Sequence, residues 1–549
     1  MKKSILILTL CTLLFNAANA QQNDSKQLFA AFDKLIEQQF KPNEPGATVL
    51  VGKNGKIIYK KAFGMANLEL NAPMQMDNVF WIASIGKQFT AVAILQLMEQ
   101  GKLNLEDEIT KFIPDYPAQG NKITIEHLLT HTSGIHNFSG MKDPEKKLAL
   151  DCTTNEVIDF FKNLPMRFVP GTNWEYSNSG YFLLGYIIEK ITGKTYAEYL
   201  DENIFKPLGM TNSLYANDTR IIKNRVGAYS LADNGFVNSK PRNITHVYSA
   251  GAIQSTAEDF FKWQQAVHSY KLVKKENLDK AFTRYKLKDG KETDYGYGWR
   301  LGYVYESPSI WHGGSIEGFG TTEIYLPKED IFVVVFSNCD CNYPKDISSR
   351  LAALASGKPY EYKEIPVEKS SLQEYTGVYE NPKGLQRIIT LSEDQLYSQL
   401  GRGPKSKLKA YQKDMFFIDA IVTLEFAKTK KGKIEKLTSK NLNGNDTWIK
   451  TDKPIPGENG IKVDGRILEI YVGDYEVTPD FTFSVSKQQD KIFLLAPDQE
   501  KLEMIAETET KFFLKVNDAQ FEFVKDESGK VTKAILNQGG RTADAKKIK

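Results

Sequence analysis

Apolar positions change period along the chain, and each change marks an element. Leu28, Phe32, Leu35, Ile36 and Phe40 recur at helical spacing, which predicts an amphipathic helix with Asp24 or Ser25 as its N-cap. Ala47 to Val51 and Lys56 to Tyr59 then flank Asn54-Gly55. That dipeptide suits the positive backbone angles of a two-residue turn, so a β-hairpin is expected. Phe89 to Gln100, rich in Ala, Leu, Ile and Met and followed by Gly101, reads as a helix with a glycine stop. A mostly helical middle follows. Tyr297 to Ser337 is strand-like again and ends in Ile331-Phe332-Val333-Val334-Val335-Phe336. Strands at both ends of a helical insert predict an α+β fold: one antiparallel sheet assembled from distant segments, flanked by helices, with a helical subdomain.

The pattern changes between Ser356 and Pro366, after which long helical stripes disappear. Leu372, Tyr375, Gly377 and Tyr379 recur as Leu468, Tyr471, Gly473 and Tyr475, and Phe416-Phe417 as Phe512-Phe513, always 96 positions later. Gly432-Lys433-Ile434 and Gly529-Lys530-Val531 follow at nearly that offset. The repeat predicts two small antiparallel β-barrel-like domains divided near Pro454-Ile455-Pro456-Gly457, their aromatics serving as core and cross-strand pairs. The expected organisation is a leader at 1–20, a larger domain at 21–357, and β-domains at 358–456 and 457–549.

Composition narrows this picture. With 549 residues, 41% of them hydrophobic, the chain exceeds what one core requires. A net charge of +3 without a basic run interleaved with aromatics excludes a nucleic-acid partner. Lys2-Lys3, the apolar run Ile5 to Phe15 and the small residues of Ala18-Asn19-Ala20 form a secretory leader, placing the mature start at Gln21 and the protein in the periplasm or outside the cell. The apolar run is shorter than the ~20 residues of a spanning helix, and no later segment is apolar enough to cross a bilayer. Removing the leader takes Cys11 and leaves Cys152, Cys339 and Cys341, an odd number that cannot be fully paired within one chain. A disulfide framework is not expected to hold the fold.

The chemistry begins at Ser84-Ile85-Gly86-Lys87. A serine hydroxyl is a weak nucleophile and needs a positioned base. Ser and Lys three apart at the opening of a helix share a face, and free N–H groups there favour a developing oxyanion. The same spacing at Ser406 to Lys409 and Ser484 to Lys487 opens no apolar helix and reads as solvent-facing strand or turn. Tyr176-Ser177-Asn178 and His312-Gly313-Gly314 complete a set of proton-handling groups, with Tyr215-Ala216-Asn217 as a rival for the Tyr-x-Asn element. His127 and His131 are four apart but lack the intervening Glu of a metalloprotease helix, and His136, His246 and His268 fall in no pattern. No phosphate-cradling loop or dinucleotide fingerprint is present, so neither a metal nor an organic cofactor is expected.

Together with Leu128-Leu129-Thr130-His131-Thr132-Ser133-Gly134, Tyr181, Leu184-Gly185 and Pro207-Leu208-Gly209-Met210, these motifs resemble the serine β-lactamase and penicillin-binding superfamily over roughly residues 24 to 355. The branch most similar is that of class C β-lactamases with their DD-carboxypeptidase, esterase and D-aminopeptidase relatives. The resemblance implies Ser84 as acylated nucleophile, Lys87 as the charge that lowers its neighbours' proton affinity, Tyr176 as general base and Asn178 as the group orienting Lys87 and a substrate amide. An unperturbed Tyr titrates near ~10, so a basic Tyr176 requires that charge. The resemblance also implies Ser84 and Ser315 backbone N–H groups as the oxyanion hole, with Gly313 and Gly314 along the substrate. Many β-lactamases and carboxypeptidases carry Lys where this chain has His312. A mostly neutral His holds a substrate carboxylate poorly, which disfavours strong β-lactam hydrolysis and fits esterase-like or aminopeptidase-like relatives. The expected function is an exported serine hydrolase acting through an acyl-enzyme on a small amide, peptide or ester, such as a D-amino-acid or cell-wall-related peptide. The alternatives are β-lactamase or esterase activity, or a non-catalytic peptidoglycan or β-lactam binder.

Overall fold

The computed structural model describes residues 25–548 apart from 141–150 and the short segments 217–218, 360–361, 383, 402, 419–421, 442–443, 454, 456–459, 479–480, 497–500, 515–518 and 539–540. The leader, Gln21, Asp24, Asn217 and most of the Pro454 to Gly457 divide therefore lie outside the described residues. The chain forms two compact units that change over at residues 360 and 361.

In the first unit, the amphipathic stripe forms a helix at 25–39. Six strands follow: β1 (Ala47–Lys53), β2 (Lys56–Phe63), β3 (Arg300–Val304), β4 (Ser307–Ile316), β5 (Phe319–Leu326) and β6 (Ile331–Ser337). They make one antiparallel sheet in the order β3-β4-β5-β6-β1-β2. Asn54 (φ 51°) and Gly55 (φ 69°) supply the turn of the early hairpin. Val51 pairs with Val333, so the two ends of the unit meet at the centre of the sheet. Every residue of β6 is buried, which requires cover on both faces. Phe332 and Phe336 meet Phe260 of the helix Ala257–His268, with ring centroids 6.2 and 5.7 Å apart. Val333 and Val335 alternate to the other side, and Lys345–Ala355 also packs on β5 and β6.

Two helices carry the site. Helix α1 (Lys87–Glu99) begins two residues before the expected Phe89 because it continues a 3₁₀ turn at Ala83–Gly86. It is buried almost all round, as its nearly continuous apolar sequence requires, and Phe89 stacks on Trp263 at 3.9 Å between centroids. Helix α2 (Asn178–Thr192) is capped by Ser177, ends at Gly193 (φ 69°) and packs against α1.

The second unit contains a nine-stranded sheet between Gly377 and Thr451 and a closed eight-stranded barrel between Gly473 and Lys547. The 96-residue repeat has a structural counterpart. Tyr379 donates its hydroxyl to the Tyr375 carbonyl at 2.7 Å, and Tyr475 does the same to Tyr471 at 2.8 Å. Gly377 and Gly473 hold φ of 145° and 146°, a region open to glycine. Ser484 bonds Asp474 and Lys487 bonds Glu469, so that Ser-x-x-Lys copy is engaged on a strand. A disulfide joins Cys339 to Cys341, only two positions apart, and links no distant segments. Among the described residues, no helix is long and apolar enough to cross a membrane.

Candidate active site

Ser84 sits in a tightly built turn. The Ile82 N–H donates to the Ile253 carbonyl at 2.9 Å and the Trp81 indole to the Gly251 carbonyl at 2.9 Å, fixing both residues that lead into it. Ala83 adopts φ 50°, a left-handed conformation that a non-glycine residue holds only under constraint. Gly251 permits the approach, since a Cβ there would lie 2.7 Å from the Ala83 carbonyl carbon.

One turn on, Lys87 is fully buried. Its Nζ lies 3.1 Å from Ser84 Oγ, 2.8 Å from Asn178 Oδ1 and 2.7 Å from the Ala250 carbonyl. It also stands over the Tyr176 ring, 4.9 Å from its centre. Asn178 is set from behind: its N–H donates to Asn137 Oδ1 at 3.0 Å and its Nδ2 to Ser139 Oγ at 2.8 Å. The Tyr176 phenol lies close enough to Ser84 for the serine to oppose part of the rise that burial imposes on it. The structure thus brings together Ser84, Lys87, Tyr176 and Asn178, whereas Tyr215 packs against Tyr196 and Tyr248.

The electrostatics of the pair follow from burial. Burial, then the nearby Arg300 guanidinium, holds Lys87 well below the usual ammonium range. Burial pushes the Tyr176 phenol up, against smaller opposing effects from Ser84 and Arg300. Both shifts run toward the uncharged forms of the two groups. Asn178 Oδ1 and the Ala250 carbonyl only accept and each takes one N–H of Lys87, while the third contact, to the Ser84 hydroxyl, serves either an ammonium N–H donating to Oγ or, in a neutral amine, a lone pair accepting from it.

His312 is buried in mid-strand on β4. Its Nδ1 lies 2.7 Å from the Gly313 carbonyl and its Nε2 2.9 Å from the Tyr295 hydroxyl. A carbonyl only accepts, so Nδ1 carries the proton and Tyr295 donates to Nε2. Burial, with the Arg300 guanidinium adding to it, holds the ring well below the usual imidazole range. Its centroid is 6.3 Å from that of Tyr176, so it backs the phenol. Gly314 lets β4 close on the serine turn, because a Cβ there would meet the Ile82 carbonyl oxygen at 2.3 Å, while one at Gly313 would meet the Tyr343 hydroxyl at 1.9 Å. His127 completes a capping box with Thr124, and His131 Nδ1 accepts from the Ser177 N–H at 3.1 Å; both act structurally. Among the described residues, no cluster of three or more His, Cys, Asp or Glu is set to hold a metal ion.

A cleft of about 400 Å³ opens on this centre, bordered by Ser84, Asn178 and Ser315 and by the charged side chains Arg242, Glu317 and Asp340. Those three charged residues carried no motif, nor did Arg300, whose guanidinium lies 5.7 Å from the ring centres of Trp174, Tyr176 and Trp311. Glu323, paired across the strands with His312, is a buried acid pushed up to about 8 by desolvation, and Gln88 donates to it at 2.5 Å.

Comparison with known proteins supports the fold described above. Residues 32–357 match the Beta-lactamase family, and 361–451 and 459–547 each match DUF3471, a domain of unknown function. Penicillin-binding protein 4* of Bacillus subtilis is 29% identical over 74% of this chain and 94% of its own. Protein flp of Staphylococcus aureus is 30% identical over 62% of this chain and 68% of its own. Among solved structures, a penicillin-binding protein homologue from Pyrococcus abyssi is 26% identical with a TM-score of 0.54, covering 77% of this chain and 99% of that one. A D-amino acid amidase from Ochrobactrum anthropi shares the fold at 22% identity and a TM-score of 0.54, over 60% of this chain and 99% of that one. Matched over residues 32–357, which include the serine turn, the buried lysine and the Tyr-x-Asn element, the chain belongs to the Beta-lactamase family.

Proposed function

We propose that this protein is an exported serine hydrolase that acts through an acyl-enzyme on small amides or peptides. The contact of a buried, neutral Lys87 amine with Ser84 Oγ carries the reading. As Oγ attacks the substrate carbonyl, its proton passes to Lys87 Nζ and the Oγ–C bond forms. The oxyanion gathers at the N–H groups of Ser84 and Ser315, both of which border the cleft. The proton now on Lys87 returns through Tyr176, over whose ring the amine stands, to the leaving nitrogen or oxygen as its bond to carbon breaks. Water then releases the acyl group by the reverse route. Asn178 holds Lys87 and offers its amide to the substrate, while His312 fixes Tyr295 and so the aromatic wall behind Tyr176.

The substrate class we favour is amides of D-amino acids, the class named for the amidase that shares this fold. A neutral, buried His312 gives no anchor for a carboxylate, which weighs against efficient β-lactam turnover. The test is labelling by a fluorophosphonate and a fluorescent penicillin, with turnover of nitrocefin, p-nitrophenyl esters and D-alanine p-nitroanilide. Ser84→Ala is expected to abolish labelling and turnover; a variant as active as the parent refutes the assignment.

A further inference from the structure

The first turn of α1 is held by more than its own hydrogen bonds. Successive residues of a helix point about 100° apart, so while Lys87 reaches Ser84 and Asn178, Gln88 reaches the sheet. Gln88 is buried and both ends of its amide are engaged. Nε2 donates to Glu323 Oε1 at 2.5 Å, and Oε1 accepts from the Trp263 indole N–H at 3.0 Å. Trp263, on the helix Ala257–His268, stacks in turn on Phe89, the residue after Gln88. Gly298 closes over the same turn, since a Cβ there would stand 2.9 Å from the Lys87 carbonyl oxygen and 3.0 Å from the Gln88 Cα.

Glu323 is the fixed end of this chain of contacts. It lies buried in the middle of β5, a strand paired with β4 on one side and β6 on the other, directly across from His312. A side chain carried by a doubly paired strand is a firm support for its neighbours. Burial pushes its carboxyl up to about 8, with Gln88 and His312 opposing part of the rise. At neutral pH it therefore accepts from Gln88 as an uncharged acid and sets no anion beside the turn that carries Lys87. The consequence is rotational. Lys87 Nζ stands at the end of a long side chain, so a small turn of the helix start about its axis moves it off Ser84 Oγ, and a misplacement of about 1 Å in a reacting group costs about 10²-fold in rate.

We infer that Glu323 is a positioning residue for acylation: through Gln88 it fixes the rotation of the first turn of α1 and so holds Lys87 Nζ against Ser84 Oγ. The inference rests on the reading of Lys87 as the base for Ser84. It is tested on the full chain by fluorophosphonate labelling of Ser84 over a range of probe concentrations, which separates the maximal rate from half-saturation, with thermal melts keeping every comparison below the transition. Glu323→Leu is expected to lower the maximal rate about tenfold to 10²-fold and to leave half-saturation unchanged. Glu323→Gln keeps an uncharged acceptor for Gln88 and should retain most of the rate that Glu323→Leu loses. Gln88→Leu should lose as much as Glu323→Leu. Trp263→Phe, which keeps a ring on Phe89 but removes the N–H, should lose a smaller part in the parent and nothing further in the Gln88→Leu background, because both act through one amide. Should Glu323→Leu fail to fold, the Gln88 and Trp263 pair decides. Folded variants that label at the parent's maximal rate, a Glu323→Gln as slow as Glu323→Leu, or losses at Gln88 and Trp263 that multiply overturn the inference and leave the nucleophile standing. A parent whose Ser84 does not label removes the underlying reading and this one with it.

Discussion

At the scale of single residues, the site turns on a lysine that the fold keeps dry. Catalysis through a neutral Lys87 requires that acylation slow as pH falls through its depressed pKa, because the amine then carries a proton and has no lone pair for Ser84. Lys87→Met is expected to lower the fluorophosphonate labelling rate by about 10² to 10⁴ and to remove this acidic limb, both read from labelling rates across pH. Stability has its own sign. The folded state disfavours the proton that the unfolded chain binds below its ordinary value of 10.5, so the parent gains stability as pH rises toward that value. Thermal melts of parent and variant should therefore converge or cross in the parent's favour with rising pH; parallel curves would contradict a depressed Lys87. Ser84, Lys87, Tyr176 and Asn178 were legible in the sequence because each pair is tied by local spacing on a turn or helix end. The protonation states were not, since they depend on what buries Lys87. The charged wall of Arg242, Glu317 and Asp340 was equally hidden, being assembled from three segments that no spacing rule connects.

At the scale of elements, the close fit of β4 against the serine turn governs whether the nucleophile is held. A methyl group at Gly314 meets the Ile82 carbonyl oxygen at 2.3 Å and Thr321 Oγ1 at 2.4 Å, and the first of these is backbone that cannot swing away. At Gly313 the obstacle is the far end of the Tyr343 side chain, which is 42% exposed and free to rotate outward. Gly314→Ala should thus cost about 1–3 kcal/mol in stability and at least about tenfold in labelling rate. Gly313→Ala should be the milder of the two in both melting and labelling, and the reverse order would show that the turn does not rest on β4. The hairpin, α1 and the late strand run were readable from periodicity, because a period of two or of 3.6 is written into consecutive residues. The left-handed Ala83 was not: nothing in its side chain asks for φ 50°, and only the packing of Gly251 and the bond from Ile82 to Ile253 impose it.

At the scale of the molecule, the repeat is the feature the sequence expressed most directly, since the same tyrosine pair closes each β-domain. Each has its own core. One is built on Leu372, Tyr375, Tyr379, Phe416 and Trp448, the other on Leu468, Tyr471, Tyr475, Phe512 and Phe523, and the first unit's large cluster draws on neither. How many strands each copy uses was not legible, because nine strands in one sheet and eight in a closed barrel follow from turns that the 96-residue offset does not encode. Separate cores predict separate cooperative transitions in calorimetry. Tyr379→Phe removes the hydroxyl bonded to the Tyr375 carbonyl, and Tyr475→Phe the one bonded to Tyr471, leaving a backbone acceptor unsatisfied in each case. Each loss is expected to cost about 1 kcal/mol or more, which for a domain of this size lowers its melting temperature by about 4–8 °C. The two variants should shift different transitions, and their double variant should show the two shifts side by side, as independent sites do. If both variants moved one common transition, the copies would melt as a single cooperative body despite their separate cores.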